Sequence, residues 1–144
     1  MSVVLLVDDD IDSLWALRLV VEAQGHHVLL ARDGEDALSK ASRYLPEVIV
    51  TDWHMSRLDG IGLCERLKLY PTLAGIAVVF TSSELPPAHL STLWKVFIRK
   101  PLDLTVVEQC IESFITRRLS APQHRHAPIP DKGRWPAMSF RNWP

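Results

Sequence analysis

Val3-Val4-Leu5-Leu6-Val7-Asp8-Asp9-Asp10 is an aliphatic run that stops abruptly in three carboxylates. It lacks the apolar–polar alternation of a strand with one wet face. A continuous run of this length is what a parallel strand shows when helices cover both of its faces. Four further short runs share the pattern: His27–Ala31, Val48–Thr51, Ile76–Thr81 and Val96–Ile98, each bounded by charge, Gly or Pro. Between them, apolar residues recur at helical steps. Leu14, Leu17, Val20 and Val21 form one set, Ala37, Leu38 and Ala41 the next, then Ile61, Cys64 and Leu67, and finally Leu104, Val107, Ile111 and Phe114. Gly25, Gly34 and Gly60 punctuate the turns, and Thr105 with Glu108 resembles a capping box, with Asp103 competing as the cap. Strand and helix alternating in this way predict right-handed crossovers and a doubly wound, flavodoxin-like α/β sheet.

The 144 residues fit one domain, and a 47 % hydrophobic content is enough for a core. A formal net charge of -1 points to neither nucleic acid nor membrane as a partner. Cys64 and Cys110 are too few for a disulfide framework or a metal knuckle, so both read as small core hydrophobes in a reducing, cytoplasmic setting. The start of the chain lacks the basic residues and long apolar run of a signal peptide. The helical pattern ends near Leu119. The reading therefore divides the chain into a domain over 1–119 and a flexible, Pro-rich basic tail over 120–144 that carries Trp135, Phe140 and Trp143.

Ligands of parallel α/β sheets bind outside the carboxyl ends of the strands. The first strand runs into Asp8, Asp9 and Asp10, the third into Asp52, the fourth into Thr81, Ser82 and Ser83, and the fifth into Lys100-Pro101. On that topology these residues meet at one edge. Clustered carboxylates repel by roughly 1 to 4 kcal/mol per pair at ~4 Å. A divalent, oxygen-preferring cation such as Mg²⁺ would offset this, with Lys100 as a second positive charge. A carboxylate so placed can attack a phosphoryl donor and form an acyl phosphate. Taken singly, each residue has a blander reading: helix-terminal acids at 8–10, a cap at Asp52, a turn hydroxyl at Ser82, a solvated charge at Lys100. Only their joint order along the sheet favours a site.

Val7-Asp8-Asp9-Asp10, Val50-Thr51-Asp52-Trp53-His54-Met55, Asp59-Gly60 and Lys100-Pro101 together resemble the receiver domains of two-component response regulators, over residues 3 to about 118. The resemblance implies a five-stranded parallel sheet and a phosphorelay function. Asp52 would accept a phosphoryl group from a histidine kinase or histidine phosphotransfer protein, with Mg²⁺ as cofactor. Asp8, Asp9, Asp52 and the backbone carbonyl of His54 would surround the ion. Lys100 would contact the phosphoryl group, Ser82 rather than Thr81 would be the switch hydroxyl, and Phe97 the aromatic switch. The chain would be no enzyme beyond its own phosphorylation and dephosphorylation. It would act as a stand-alone regulator whose phosphorylation switches a protein–protein surface, and would touch neither DNA nor membrane.

Several positions depart from the family pattern. Ser56 replaces the usual proline, and Ser83 stands at the small residue after the switch hydroxyl. The stretch between Ser82 and Lys100 is short, carries Pro86-Pro87 and lacks the usual Gly-Ala pair, which predicts a short or irregular fourth helix. Two other classes stay open at this level. A haloacid-dehalogenase-like phosphatase would use Asp8 and Asp10, but leaves Asp52 without a role. A receiver-fold binding module would signal without phosphorylation.

Overall fold

The computed structural model describes residues 2–126, with backbone alone for 117–126. Its strands are β1 (Val3–Val7), β2 (His27–Ala31), β3 (Val48–Asp52), β4 (Ala77–Ser82) and β5 (Val96–Arg99). The helices are α1 (Ile11–Ala23), α2 (Gly34–Tyr44), α3 (Gly60–Lys68) and α4 (Leu104–His126), with a 3-10 helix over Ala88–Leu93 between β4 and β5. All pairings are parallel in the order β2-β1-β3-β4-β5. The order reverses between β1 and β3, so a crevice opens at their carboxyl ends.

Side chains alternate across each strand, and that alternation builds two cores. Val4, Leu6, Val48 and Val50 face Leu14, Leu17 and Val21 of α1 and Val107, Ile111 and Phe114 of α4. Leu5, Val7, Ile49 and Phe80 face Ala37 and Ala41 of α2 and Leu63, Cys64 and Leu67 of α3. Both cysteines are free and buried, and burial pushes the Cys64 thiol up to about 12. Among the described residues no helix is long and apolar enough to cross a membrane.

Local chemistry fixes the helix starts. The Asp33 carboxylate accepts the Asp36 N–H at 2.8 Å, and the Asp59 carboxylate accepts the Gly62 N–H at 2.8 Å, so each caps its helix. At α4 the competition resolves in favour of Asp103, whose carboxylate accepts the Thr105 N–H at 2.9 Å. The capping-box reading of Thr105 and Glu108 gives way to a cap that closes on a nearer N–H. The helix continues past Leu119 to His126, beyond the boundary read from periodicity. The rest of the expected tail, 127–144, lies outside the described residues. The expected irregularity between β4 and β5 is the 3-10 helix, which buries none of its residues.

Candidate functional site at the carboxyl ends of the strands

Asp8 follows β1 directly, and its N–H still bonds the Ala31 carbonyl at 3.1 Å, which holds it to the sheet. It is only 3 % exposed. One carboxylate oxygen accepts the Asp10 N–H at 2.9 Å, and the other lies 3.3 Å from Lys100 Nζ. Asp52 closes β3, largely buried, with Oδ1 3.1 Å from the same ammonium. The Lys100 backbone is tied in turn, its N–H donating to the Ser82 carbonyl at 2.9 Å. Asp9 completes the group: one oxygen from each of Asp8, Asp9 and Asp52 lies within 4.8 Å of the others. Among the described residues this is the single such cluster of three or more acidic, His or Cys ligands.

The electrostatics follow from crowding. Burial raises the Asp8 pKa and the Asp52 charge adds to this, while bonds from the Asp10 N–H and Lys100 oppose both. For Lys100, burial disfavours the ammonium, but its bond to Asp52 and the charges of Asp8 and Asp52 outweigh that and raise its pKa. Three carboxylates thus crowd one crevice in which a single cation, Lys100, contacts two of them, and every donor is a hard oxygen. Such a donor set suits Mg²⁺ better than a thiophilic metal.

The other sequence-derived residues fall around this centre unevenly. Ser82 is buried at the end of β4, its hydroxyl accepting the Glu84 N–H at 3.0 Å. The Thr81 hydroxyl is committed elsewhere, donating to the Thr51 carbonyl at 3.2 Å. Phe97 is paired in register with Phe80, ring centroids 6.3 Å apart. Asp10 stays outside the cluster: it is fully exposed, its carboxylate bonds the Ser13 hydroxyl at 2.7 Å, and that bond lowers its pKa. The dehalogenase-like reading pairs Asp10 with Asp8, whereas the carboxylate that joins Asp8 and Asp9 is that of Asp52.

Two side-chain contacts are not written in the sequence. The His54 side chain stacks on Trp53 at 4.4 Å and pairs with Glu84 at 3.3 Å, bridging the loops after β3 and β4. Each residue sits two positions beyond a strand end, the only signal that could have suggested they meet. Phe80 stacks face to face on Trp94, centroids 4.3 Å apart and planes 8° apart. Nothing in the sequence pairs these two rings.

The family profile described as the response regulator receiver domain matches residues 4–112. An uncharacterized 14.6 kDa protein of Leptolyngbya boryana is 35 % identical over 104 residues, 69 % of this chain and 79 % of that protein. The gliding motility regulatory protein of Myxococcus xanthus is 42 % identical over 84 residues, which is 58 % of this chain but 11 % of that protein's length. Among solved structures, the receiver domain of the Francisella response regulator 1452 superposes with a TM-score of 0.74 at 25 % identity, covering 82 % of this chain and 99 % of that one. With the parallel five-stranded order, the carboxylate crevice and a profile that spans most of the sequence all in agreement, the chain belongs to the response regulator receiver family.

Proposed function

We propose that Asp52 accepts a phosphoryl group from a histidine kinase or histidine phosphotransfer protein in the cytoplasm, and that the modified chain presents an altered surface to a downstream protein. The single observation that carries this reading is Lys100 Nζ lying within 3.3 Å of both Asp8 and Asp52 in a three-carboxylate crevice. Asp8, Asp9, Asp52 and the His54 carbonyl would hold Mg²⁺, which when bound supplies positive charge to the phosphoryl oxygens. The chain's own residues do the rest. An Asp52 oxygen attacks phosphorus, and the bond from phosphorus to the donor nitrogen or oxygen breaks. The electron pair leaves with the donor, which takes up a proton. Lys100 neutralises charge on the transferred group, in a reaction governed by positioning and charge stabilisation. Ser82, two residues before Glu84 and bonded to its N–H, would turn to the new phosphoryl oxygen, and Phe97 would follow it.

The test is incubation with Mg²⁺ and acetyl phosphate or phosphoramidate, read by intact mass beside Asp52→Ala. A Mg²⁺-dependent gain of one phosphoryl group, absent in the variant, is the expected result. No adduct, together with no response to beryllofluoride, would leave a receiver-fold binding module.

A further inference from the structure

Phe80 is completely buried two residues before Ser82, so both side chains lie on the same face of β4. Its ring is clamped from two sides. On one side is the loop after β3: a Cβ added at Gly60 would come 3.0 Å from the Phe80 ring and 2.1 Å from the Asp52 carbonyl. The Gly60 N–H also bonds the Trp53 carbonyl at 2.7 Å, so this glycine ties the acceptor loop to the ring. On the other side is the indole of Trp94, stacked at 4.3 Å. The two sides differ in stiffness. Asp52, Gly60 and Phe80 are buried, whereas Trp94 is half-buried and follows a 3-10 helix with no buried residue. Close-packed interiors transmit displacement rather than absorb it. A shift of the acceptor loop or of the end of β4 therefore reaches Phe80 and is released at its compliant neighbour.

From this clamp we infer that Phe80 and Trp94 form an aromatic relay, through which occupancy of the carboxylate crevice repositions the Leu85–Trp94 segment. The relay rests on the phosphoacceptor reading. It leaves the β4 end by Trp94 rather than by Phe97, although Phe97 packs on the same Phe80 ring with centroids 6.3 Å apart. The indole stacks on Phe80 of β4 beside a six-residue 3-10 helix that buries none of its own residues. The surface it governs includes Leu85, exposed at 68 %, and the Pro86-Pro87 step.

The whole chain labelled with 5-fluorotryptophan tests this by fluorine NMR, the Trp94 resonance being assigned by its loss in Trp94→Phe. Mg²⁺ with acetyl phosphate is added, and intact mass on the same sample reports the adduct. The expected result is a shifted Trp94 resonance with Trp15, which lies on α1, unmoved. In Phe80→Leu the adduct should still form while the Trp94 shift shrinks severalfold. An adduct with an unmoved Trp94 resonance would overturn the relay and leave the acceptor reading intact. A full-sized shift persisting in Phe80→Leu would overturn the route through Phe80. Absence of any adduct in the unsubstituted chain would remove both readings together. Should Phe80→Leu prove unfolded, Phe80→Met, which keeps the apolar volume without a ring, gives the same comparison.

Discussion

The crevice at β1 and β3 and the outer flank at β4 and β5 are held together by different physics. In the crevice, charged groups sit at strand ends, and their positions are set by backbone pairing. Asp8 is held through its N–H to Ala31, Asp52 through β3, and Lys100 through its N–H to Ser82. On the flank, the connection is a six-residue 3-10 helix with no buried residue, and a stacked pair of rings packs beside it. The crevice depends on residues whose identity is chemical and whose place is topological. The flank depends on shape, for which many side chains are acceptable. A chain can therefore remodel the second without disturbing the first.

The largest expected effect is at Lys100. Lys100→Met keeps the length of the side chain and removes the charge that Asp8 and Asp52 share. Loss of one preorganised electrostatic partner costs on the order of 10²–10³-fold in rate. Phosphoryl uptake from acetyl phosphate, followed by intact mass, should fall by that much. A fall of less than about tenfold would mean that the crevice does not rely on this cation. Next comes Gly60→Ala, which probes both regions at once because the added methyl meets the Asp52 carbonyl and the Phe80 ring. Overpacking of this kind costs about 1–3 kcal/mol, readable as a lower urea midpoint at unchanged slope. An unchanged midpoint would show that the loop can yield, and would weaken the contrast in stiffness between the two flanks of Phe80.

The same contrast explains what could be read from the chain alone. Asp8, Asp9, Asp52 and Lys100 each lie within two residues of the end of an apolar run, so strand topology was enough to bring them together. The five strands were legible because parallel burial leaves an unbroken aliphatic signature. Side-chain pairing across loops was not legible. His54 meets Glu84 only because the loops after β3 and β4 lie side by side, and no periodicity records that. Trp94 was invisible as a core residue because it lies between elements, where neither a helical nor a strand period applies. Ile11, Trp15 and Leu19 lie outside the Leu14–Leu17–Val21 stripe, where helical spacing leaves them, and are 47 %, 49 % and 66 % exposed.

Trp94→Ala sharpens the comparison from the flank. Stacked aromatic pairs contribute roughly 0.5–1.5 kcal/mol beyond area burial. A half-buried indole should thus cost about 1–2 kcal/mol in total when removed, while phosphoryl uptake stays within a few-fold of wild type. A loss of uptake as deep as that of Lys100→Met would erase the distinction between the two regions.

The smallest effect returns to the crevice and concerns Asp8 without metal. Its folded pKa lies above the ordinary carboxylate value, chiefly through burial. A group raised in this way favours the folded state below its unfolded pKa, and that contribution is lost as pH rises through the folded value. Ionised Asp8 therefore weakens the metal-free protein at neutral pH. Asp8→Asn keeps an oxygen for the Asp10 N–H and leaves Lys100 with Asp52, so it removes the penalty without opening the structure. Metal-free Asp8→Asn should melt a few degrees higher than wild type at pH 7, with the difference vanishing near pH 3. Adding Mg²⁺ should narrow or reverse that gap, since only a native state with its carboxylates intact gains fully from binding the ion. A variant less stable than wild type at pH 7 without Mg²⁺ would mean that the Lys100 contact outweighs the crowding. The crevice would then be a stabilising cluster rather than one strained in readiness for a cation.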